Sequence, residues 1–272
     1  MIQARRLLMA VCGTIVGLGL ACGSASANED FWKKVQQEGV LKVGGAEATP
    51  YQMRDPKTGE WSGVYIDILR MLADQLGVKL QVIDTTWDDL VAGLVSGKWD
   101  IAPSLNRTVK RSLVVNYSIP AHAYQISFVF KKTNSKIDPS WISLADFDKP
   151  NITFAVKGGT AEEQILTQQV KNATISRFPG QDEFRLAVVT GRADIAVDDA
   201  DPNALFAASY PEWSHAVIPV PALAKQGVAF GFRKTVGLDE IQTLDILLEQ
   251  LIAQGKVDKM FEEYDEKIVG KK

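Results

Sequence analysis

The feature that most limits the possible folds is an alternation of strand and helix patterns that runs through residues 31–102 and then restarts. Phe31 and Val35 open an amphipathic helix, and Val40 to Gly44 reads as a short buried strand. Pro50 and the run Asp55-Pro56-Lys57-Thr58-Gly59 mark turns. Ile66, Leu69, Leu72, Ala73 and Leu76 recur at helical spacing until Gly77. Lys79 to Ile83 is a second strand, Leu90, Leu94 and Val95 a short helix closed by Gly97, and Asp100 to Ala102 a third strand. Strands that alternate with helices argue for a parallel α/β sheet, because a parallel crossover needs the helix.

The second round begins at the apolar strand Ile126 to Phe130 and the polar stretch Lys131 to Lys136. Ile152 to Val156 is a strand, Ala161 to Val170 and Phe184 to Val189 are helices, and Ile195 to Val197 is a strand. Val228 to Phe232 adds one more strand. A last helix takes in Ile241, Leu244, Leu248, Leu251 and Ile252 and runs on into Met260 and Phe261. Ser96-Gly97-Lys98-Trp99-Asp100 and Thr190-Gly191-Arg192-Ala193-Asp194 both sit between a helix and a strand, a weak likeness between two α/β units. Lys131 to Ser135 and Pro219 to Gly227 are the expected crossings between those units.

Ahead of the first helix, Arg5 and Arg6 precede an apolar run from Leu7 to Ala21, and Ala25-Ser26-Ala27 follows. That is the layout of a secretory signal peptide cleaved after Ala27. The apolar run is shorter than the roughly 20 residues that span a bilayer. An uncleaved anchor is one alternative; a lipid on Cys22 is another, with Gly19 where that signal prefers Leu. Cleavage removes Arg5, Arg6 and both cysteines, Cys12 and Cys22. It leaves 28 of the 30 basic residues against 33 acidic ones. An acidic exported chain of this kind points away from nucleic acid and anionic membranes as partners. Without a thiol it has no disulfide, thiolate metal site or Cys nucleophile. His122 and His215 lie far apart, outside any zinc spacing, and are read as surface or turn residues. No metal and no cofactor are expected.

Seven segments, in order, resemble the periplasmic amino-acid-binding proteins of ABC importers, the family 3 solute-binding proteins. They are Gly39 to Gly44, Trp61 to Ile68, Trp87-Asp88-Asp89-Leu90 with Ser96 to Asp100, Thr108-Val109-Lys110-Arg111, Lys157-Gly158-Gly159-Thr160, Gly191-Arg192-Ala193-Asp194 leading to Asp199, and Gly255 to Phe261. The resemblance implies a two-lobed periplasmic-binding-protein fold of type II, an α/β fold with the ligand cleft between lobes joined by a two-strand hinge. Residues 28–132 and 223–272 would form lobe one and residues 134–222 lobe two.

By the same resemblance Arg111 clamps the ligand carboxylate, which a guanidinium can do with two parallel hydrogen bonds. Asp199 pairs with the ammonium; the alternative is a helix cap before Pro202. Asp198 shares that corner. Gly159 and Thr160 offer backbone N–H groups and a hydroxyl at a helix start, where Thr160 can also serve as the cap. Lys157 reaches a polar ligand group or lies on the surface. Trp87 covers the ligand's hydrocarbon part or belongs to the core. Ser104 and Asn106 supply polar contacts, with Asn106 in place of a common Ser or Thr. In the early loop Ala48 stands near the usual aromatic, so either Tyr51 supplies the cover or the pocket is more open. Glu47 faces a cationic ligand group or solvent.

The function implied is capture of a polar L-amino acid by cleft closure and delivery to the membrane permease of an ABC importer, by a periplasmic monomer. The rival is a cyclohexadienyl or arogenate dehydratase-like enzyme on the same scaffold, which needs a carboxylic acid to protonate a leaving hydroxyl. Glu47, Asp198 and Glu162 are its candidates. A detached sensor module is a third reading, disfavoured by the lack of a membrane span toward Lys272.

Overall fold

The computed structural model describes residues 30–270. The signal segment, its cleavage site and Cys22 lie outside the described residues. The first part of the chain forms α1 (Phe31–Glu38), β1 (Val40–Gly45), the small hairpin β2 (Met53–Arg54) and β3 (Trp61–Ser62), α2 (Val64–Leu76), β4 (Lys79–Asp84), α3 (Trp87–Val95) and β5 (Ile101–Asn106). A helical turn α4 (Val109–Ser112), β6 (Val115–Tyr117) and the long β7 (His122–Lys131) follow. Next come α5 (Leu144–Phe147), β8 (Thr153–Lys157), α6 (Ala161–Gln169), β9 (Thr174–Phe178), α7 (Gln181–Val189), β10 (Ile195–Asp199), α8 (Ala200–Ser209) and β11 (Ser214–Val217). The chain then returns through β12 (Lys225–Arg233), α9 (Leu238–Ala253) and α10 (Lys256–Val269).

Local chemistry sets these elements. In α2 the buried residues Ile68, Leu69, Leu72 and Ala73 share one face, and the Gly77 N–H closes the helix on the carbonyls of Ala73 and Asp74. Thr86 caps α3 by accepting from the Asp89 N–H at 3.2 Å. Strand residues Leu41, Val43, Ile101 and Phe232 form the buried face on which these helices pack, and Phe128, Phe154 and Val197 form a corresponding face in the other half, all fully buried.

The strands form one path in the order β4-β1-β5-β12-β7-β10-β8-β9, with β6 on β12 and β11 on β7. β1 pairs parallel with β4 and β5, and β8 pairs parallel with β9 and β10. The strands between them are antiparallel, so the sheet is mixed rather than wholly parallel. β7 joins its two halves. His122 to Gln125 pair with β12, whereas Ile126 to Phe130 pair with β10. The change of partner thus falls inside a strand, earlier than the expected crossing at Lys131 to Ser135. That polar stretch instead begins where β7 ends beside Ser214. A strand can be apolar across both cores, so composition gives no sign of the change.

The structure differs from the sequence expectation in other places too, adding the unexpected elements β6, α5, β9, α8 and β11. The third strand runs on to Asn106, carrying Pro103 and Ser104 inside it. The last helix is two helices, broken at Gly255, whose φ of 65° is the left-handed region. Both histidines lie in strands rather than in surface turns. His215 packs on Phe130 with centroids 5.1 Å apart, and His122 meets Tyr51 and Phe261 at 5.4 and 4.9 Å in a three-ring cluster.

Candidate functional site

The carboxyl ends of β5, β8 and β10 converge between the two halves of the sheet, the place where open α/β sheets hold ligands. β5 delivers Ser104 and Asn106, β8 delivers Lys157, and β10 delivers Asp198 and Asp199. The starts of α3, α4 and α6 add Trp87, Arg111, and Thr160 with Glu162. Together with Ala48, Tyr51 and Ala161 these residues line a narrow cavity of about 20 Å³. That is room for about one water and no amino acid.

The walls are held by bonds that cross from one half of the molecule to the other. Arg111 is 6% exposed; its Nη2 donates to the Gly159 carbonyl at 2.9 Å and its Nη1 to the Asn106 carbonyl at 3.2 Å. The Asn106 Nδ2 donates to Glu162 Oε1 at 2.5 Å. The Thr49 N–H donates to Gln181 Oε1 at 3.0 Å, and the Gln181 amide donates in turn to Asp198 Oδ2 at 2.9 Å. The Tyr51 hydroxyl donates to Asp201 at 3.4 Å. Asp88 of α3 lies so near the β8–α6 turn that a Cβ on Gly159 would meet its Oδ1 at 2.6 Å and its backbone N at 2.8 Å. With φ at 73°, Gly159 is the residue that lets the two halves touch there.

Asp199 is the N-cap position of α8, yet its side chain makes no cap bond. It turns into the cavity, where its Oδ1 is buried without a partner. Burial pushes its carboxyl well above the ordinary range; Glu162 pushes the same way through its charge and through a side-chain hydrogen bond to Asp199, Asp198 through its charge, and Lys157 opposes them. Lys157 is 4% exposed, with Nζ 3.6 Å from Asp198 Oδ1 and 5.2 Å from the Trp87 ring centre. Ser104 is fixed by the Gln52 amide, which donates to its Oγ at 2.6 Å, and it has a strained φ of 49°. Thr160 caps α6 by accepting from the Glu163 N–H, and its hydroxyl donates to the Lys157 carbonyl.

Ten of the sequence candidates therefore line the cavity: Tyr51, Trp87, Ser104, Asn106, Arg111, Lys157, Thr160, Glu162, Asp198 and Asp199. Gly159 contributes its carbonyl to Arg111 rather than a wall. Glu47 stands apart. Its exposed side chain borders an outer groove with Arg54, Asp182 and Glu183, and only its backbone serves the site, accepting from Trp87 Nε1 at 3.0 Å. Gln181 escapes the sequence reading, because a Gln opening a helix has no signal that marks it as a bridge between halves.

This two-part sheet with a cavity at the join matches a known group. The chain matches the model of bacterial extracellular solute-binding proteins, family 3, over residues 41–267, and belongs to that family. It is 28% identical over 195 residues to a cyclohexadienyl dehydratase of Pseudomonas aeruginosa, covering 71% of each chain. It is 27% identical over 252 residues to an octopine-binding periplasmic protein of Rhizobium meliloti, covering 84% of this chain and 81% of the other. Among solved structures, the ancestral amino-acid-binding protein AncCDT-1, described as a precursor of cyclohexadienyl dehydratase, aligns with a TM-score of 0.76 at 29% identity. That alignment covers 86% of this chain and 98% of the other.

Proposed function

We propose that the protein captures a polar L-amino acid or amino-acid derivative in this cavity by closure of two lobes and delivers it to the membrane permease of an ABC importer. The observation that carries this reading is the opposition, inside one buried cavity at the join of the halves, of the Arg111 guanidinium and the Asp199 carboxyl. They suit the carboxylate and ammonium of a zwitterion. The lobes are residues 28–132 with 223–272, and residues 134–222, except that residues 126–132, whose strand pairs with β10, go with the second lobe. The cavity is too small for an amino acid, so the lobes part to admit one, and its charged ends then replace bonds such as Arg111 to Gly159. A full switch of population between open and closed forms takes about 5.5 kcal/mol of differential affinity. The protein works as a periplasmic monomer after cleavage at Ala27. A thermal-shift screen of the refolded protein against the twenty L-amino acids tests this. A ligand at a hundredfold excess over its Kd adds about 2.7 kcal/mol, or roughly 5–10 °C at this size. A shift with one or a few polar amino acids supports the reading, and no shift with any of the twenty refutes capture of a plain L-amino acid.

A second reading has one observation in its favour: Glu162 is a buried carboxyl beside Asp199 and held by Asn106, in reach of anything in the cavity. A carboxylic acid so placed could protonate a leaving hydroxyl, as a dehydratase requires. Incubation with prephenate or arogenate decides it: consumption of either supports the enzyme, and return of the compound unchanged refutes it.

A further inference from the structure

A second hollow, of about 500 Å³, lies between α7, α8 and the end of α10. None of the residues that line it lines the cavity at the join. Asp182 and Arg185 of α7, Phe206 of α8 and Trp213 come from the second lobe, whereas Thr49 and Ile268 come from the first. Phe206, Tyr210 and Trp213 make a wall of three rings with centres 5.1 to 5.8 Å apart. Beside it Leu186 and Val189 leave apolar surface open, at 52% and 39% exposure. Size, aromatic lining and a few polar groups are the make-up of a small-molecule site.

Two opposite charges border this hollow. The Arg185 side chain is 12% exposed and its Nη2 ion-pairs with Asp198 at 3.5 Å. Nη2 also donates to the Pro202 carbonyl at 2.9 Å, and the guanidinium lies 4.7 Å from the Phe206 ring centre. Its Nε is buried with no acceptor. A head with five N–H donors thus keeps capacity for a further acceptor. Asp182, on the same helix, is exposed and makes no hydrogen bond or ion pair with the described residues.

Resting on the two-lobed reading above, we infer that this hollow is a second ligand site, outside the cavity, and that it takes a free aromatic amino acid. The ring lies against Phe206 and Trp213, the carboxylate meets Arg185 and the ammonium meets Asp182. An aliphatic amino acid leaves the ring wall bare. An aromatic acid without an ammonium sets a like charge beside Asp182, and an aromatic amine leaves Arg185 unserved. The site is whole only while the lobes are together, since Thr49 and Ile268 belong to the first. It also touches the groups that hold Asp198 in the cavity wall. Arg185 pairs with Asp198 directly, and the Thr49 N–H holds Gln181, whose amide donates to Asp198.

The test is isothermal titration of the refolded protein with L-phenylalanine and three probes that each lack one feature: L-alanine, 3-phenylpropionate and 2-phenylethylamine. Wild type is compared with Arg111→Met, which disables the cavity, and with Trp213→Ala and Asp182→Asn, which alter the hollow. L-Phenylalanine should bind wild type and Arg111→Met equally, within about twofold, as separate sites require. Trp213→Ala should weaken it by about 3- to 10-fold, and Asp182→Asn by about threefold or more. Each of the three probes should bind about tenfold or more weakly than L-phenylalanine. Melting curves confirm that each variant is folded, and Asp182→Asn alters only an exposed position. If Arg111→Met abolishes L-phenylalanine binding while Trp213→Ala and Asp182→Asn keep it, the ligand sits in the cavity; the inference falls and the ligand-binding reading stands. If a probe binds as tightly as L-phenylalanine, or if only polar amino acids bind wild type, the inference falls alone. If none of the twenty amino acids binds, both fall.

Discussion

Replacing Asp199 by Asn should make the ligand-free protein more stable and at the same time remove its affinity. Asp199 is 5% exposed, its Oδ1 meets no donor, and its acidic neighbours are Glu162 and Asp198. Burial first, and then those acids, hold its carboxyl well above the ordinary range. The folded chain therefore keeps a proton that the unfolded chain gives up above about pH 4. A group whose folded pKa is raised lends stability that is fully present below the unfolded value and is lost as pH climbs through the folded value. While only the folded state holds the proton, the loss is about 1.4 kcal/mol per pH unit. That corresponds to roughly 3–5 °C in Tm for each unit at this chain length. Asn fills nearly the same volume and has no such proton to lose. The variant should thus melt above the wild type from about pH 5, with a gap that widens by that slope until the wild-type group titrates. Calorimetry on both ligand-free proteins at half-unit steps measures the gap, and titration with ligand should show a loss of about a hundredfold or more. Parallel curves of Tm against pH would refute a proton held at Asp199.

Other perturbations separate the cavity from the scaffold. Arg111→Met removes two charged hydrogen bonds and should weaken ligand binding by roughly 100- to 10,000-fold, while the ligand-free Tm moves by less than about 3 °C; a larger fall in Tm marks Arg111 as structural. Gly159→Ala places a Cβ against the Asp88 backbone and strains a positive φ. It should block closure and reduce affinity by about a hundredfold or more, with a stability cost of only about 1–2 kcal/mol; wild-type affinity in this variant removes the close approach from the closure mechanism. Leu69→Ala, at a fully buried position of α2, should cost about 2–5 kcal/mol in denaturant unfolding, and a cost below 1 kcal/mol would mean that the α2 face is not packed as described.

What could be read from the sequence was what local periodicity encodes. The α2 stripe and its Gly77 stop are set within a single helix, so residue spacing alone places them. The switch of β7 between partners is set by strands about 70 to 100 residues away, and nothing near Gln125 marks it. The break at Gly255 escaped for the opposite reason. Leu251, Val257 and Tyr264 are buried on either side of it, and their apolar pattern continues across the gap. Arg111, Thr160 and Asp199 were found through ordered motifs rather than chemistry, since singly each reads as a surface charge or a helix cap. Glu162 looks like an acid in the first turn of a helix, where the helix dipole favours one; only the fold turns it inward. Gln181 joins Thr49 and Asp198, contacts that span 132 and 17 residues, and no short window holds both.

The place of β12 in the strand order also bears on how the chain matures. Its neighbours β5 and β7 are synthesised long before it, with the whole of β8 to β11 intervening. Until Lys225 to Arg233 emerge from the ribosome, the β4-β1-β5 half lacks its central partner and the helices α9 and α10 that cover it. The half nearest the N-terminus is thus the one that cannot finish folding first, because its contacts are the most distant in sequence. The N-terminal half of a nascent chain wired in this way stays incomplete until almost all of the chain has been made.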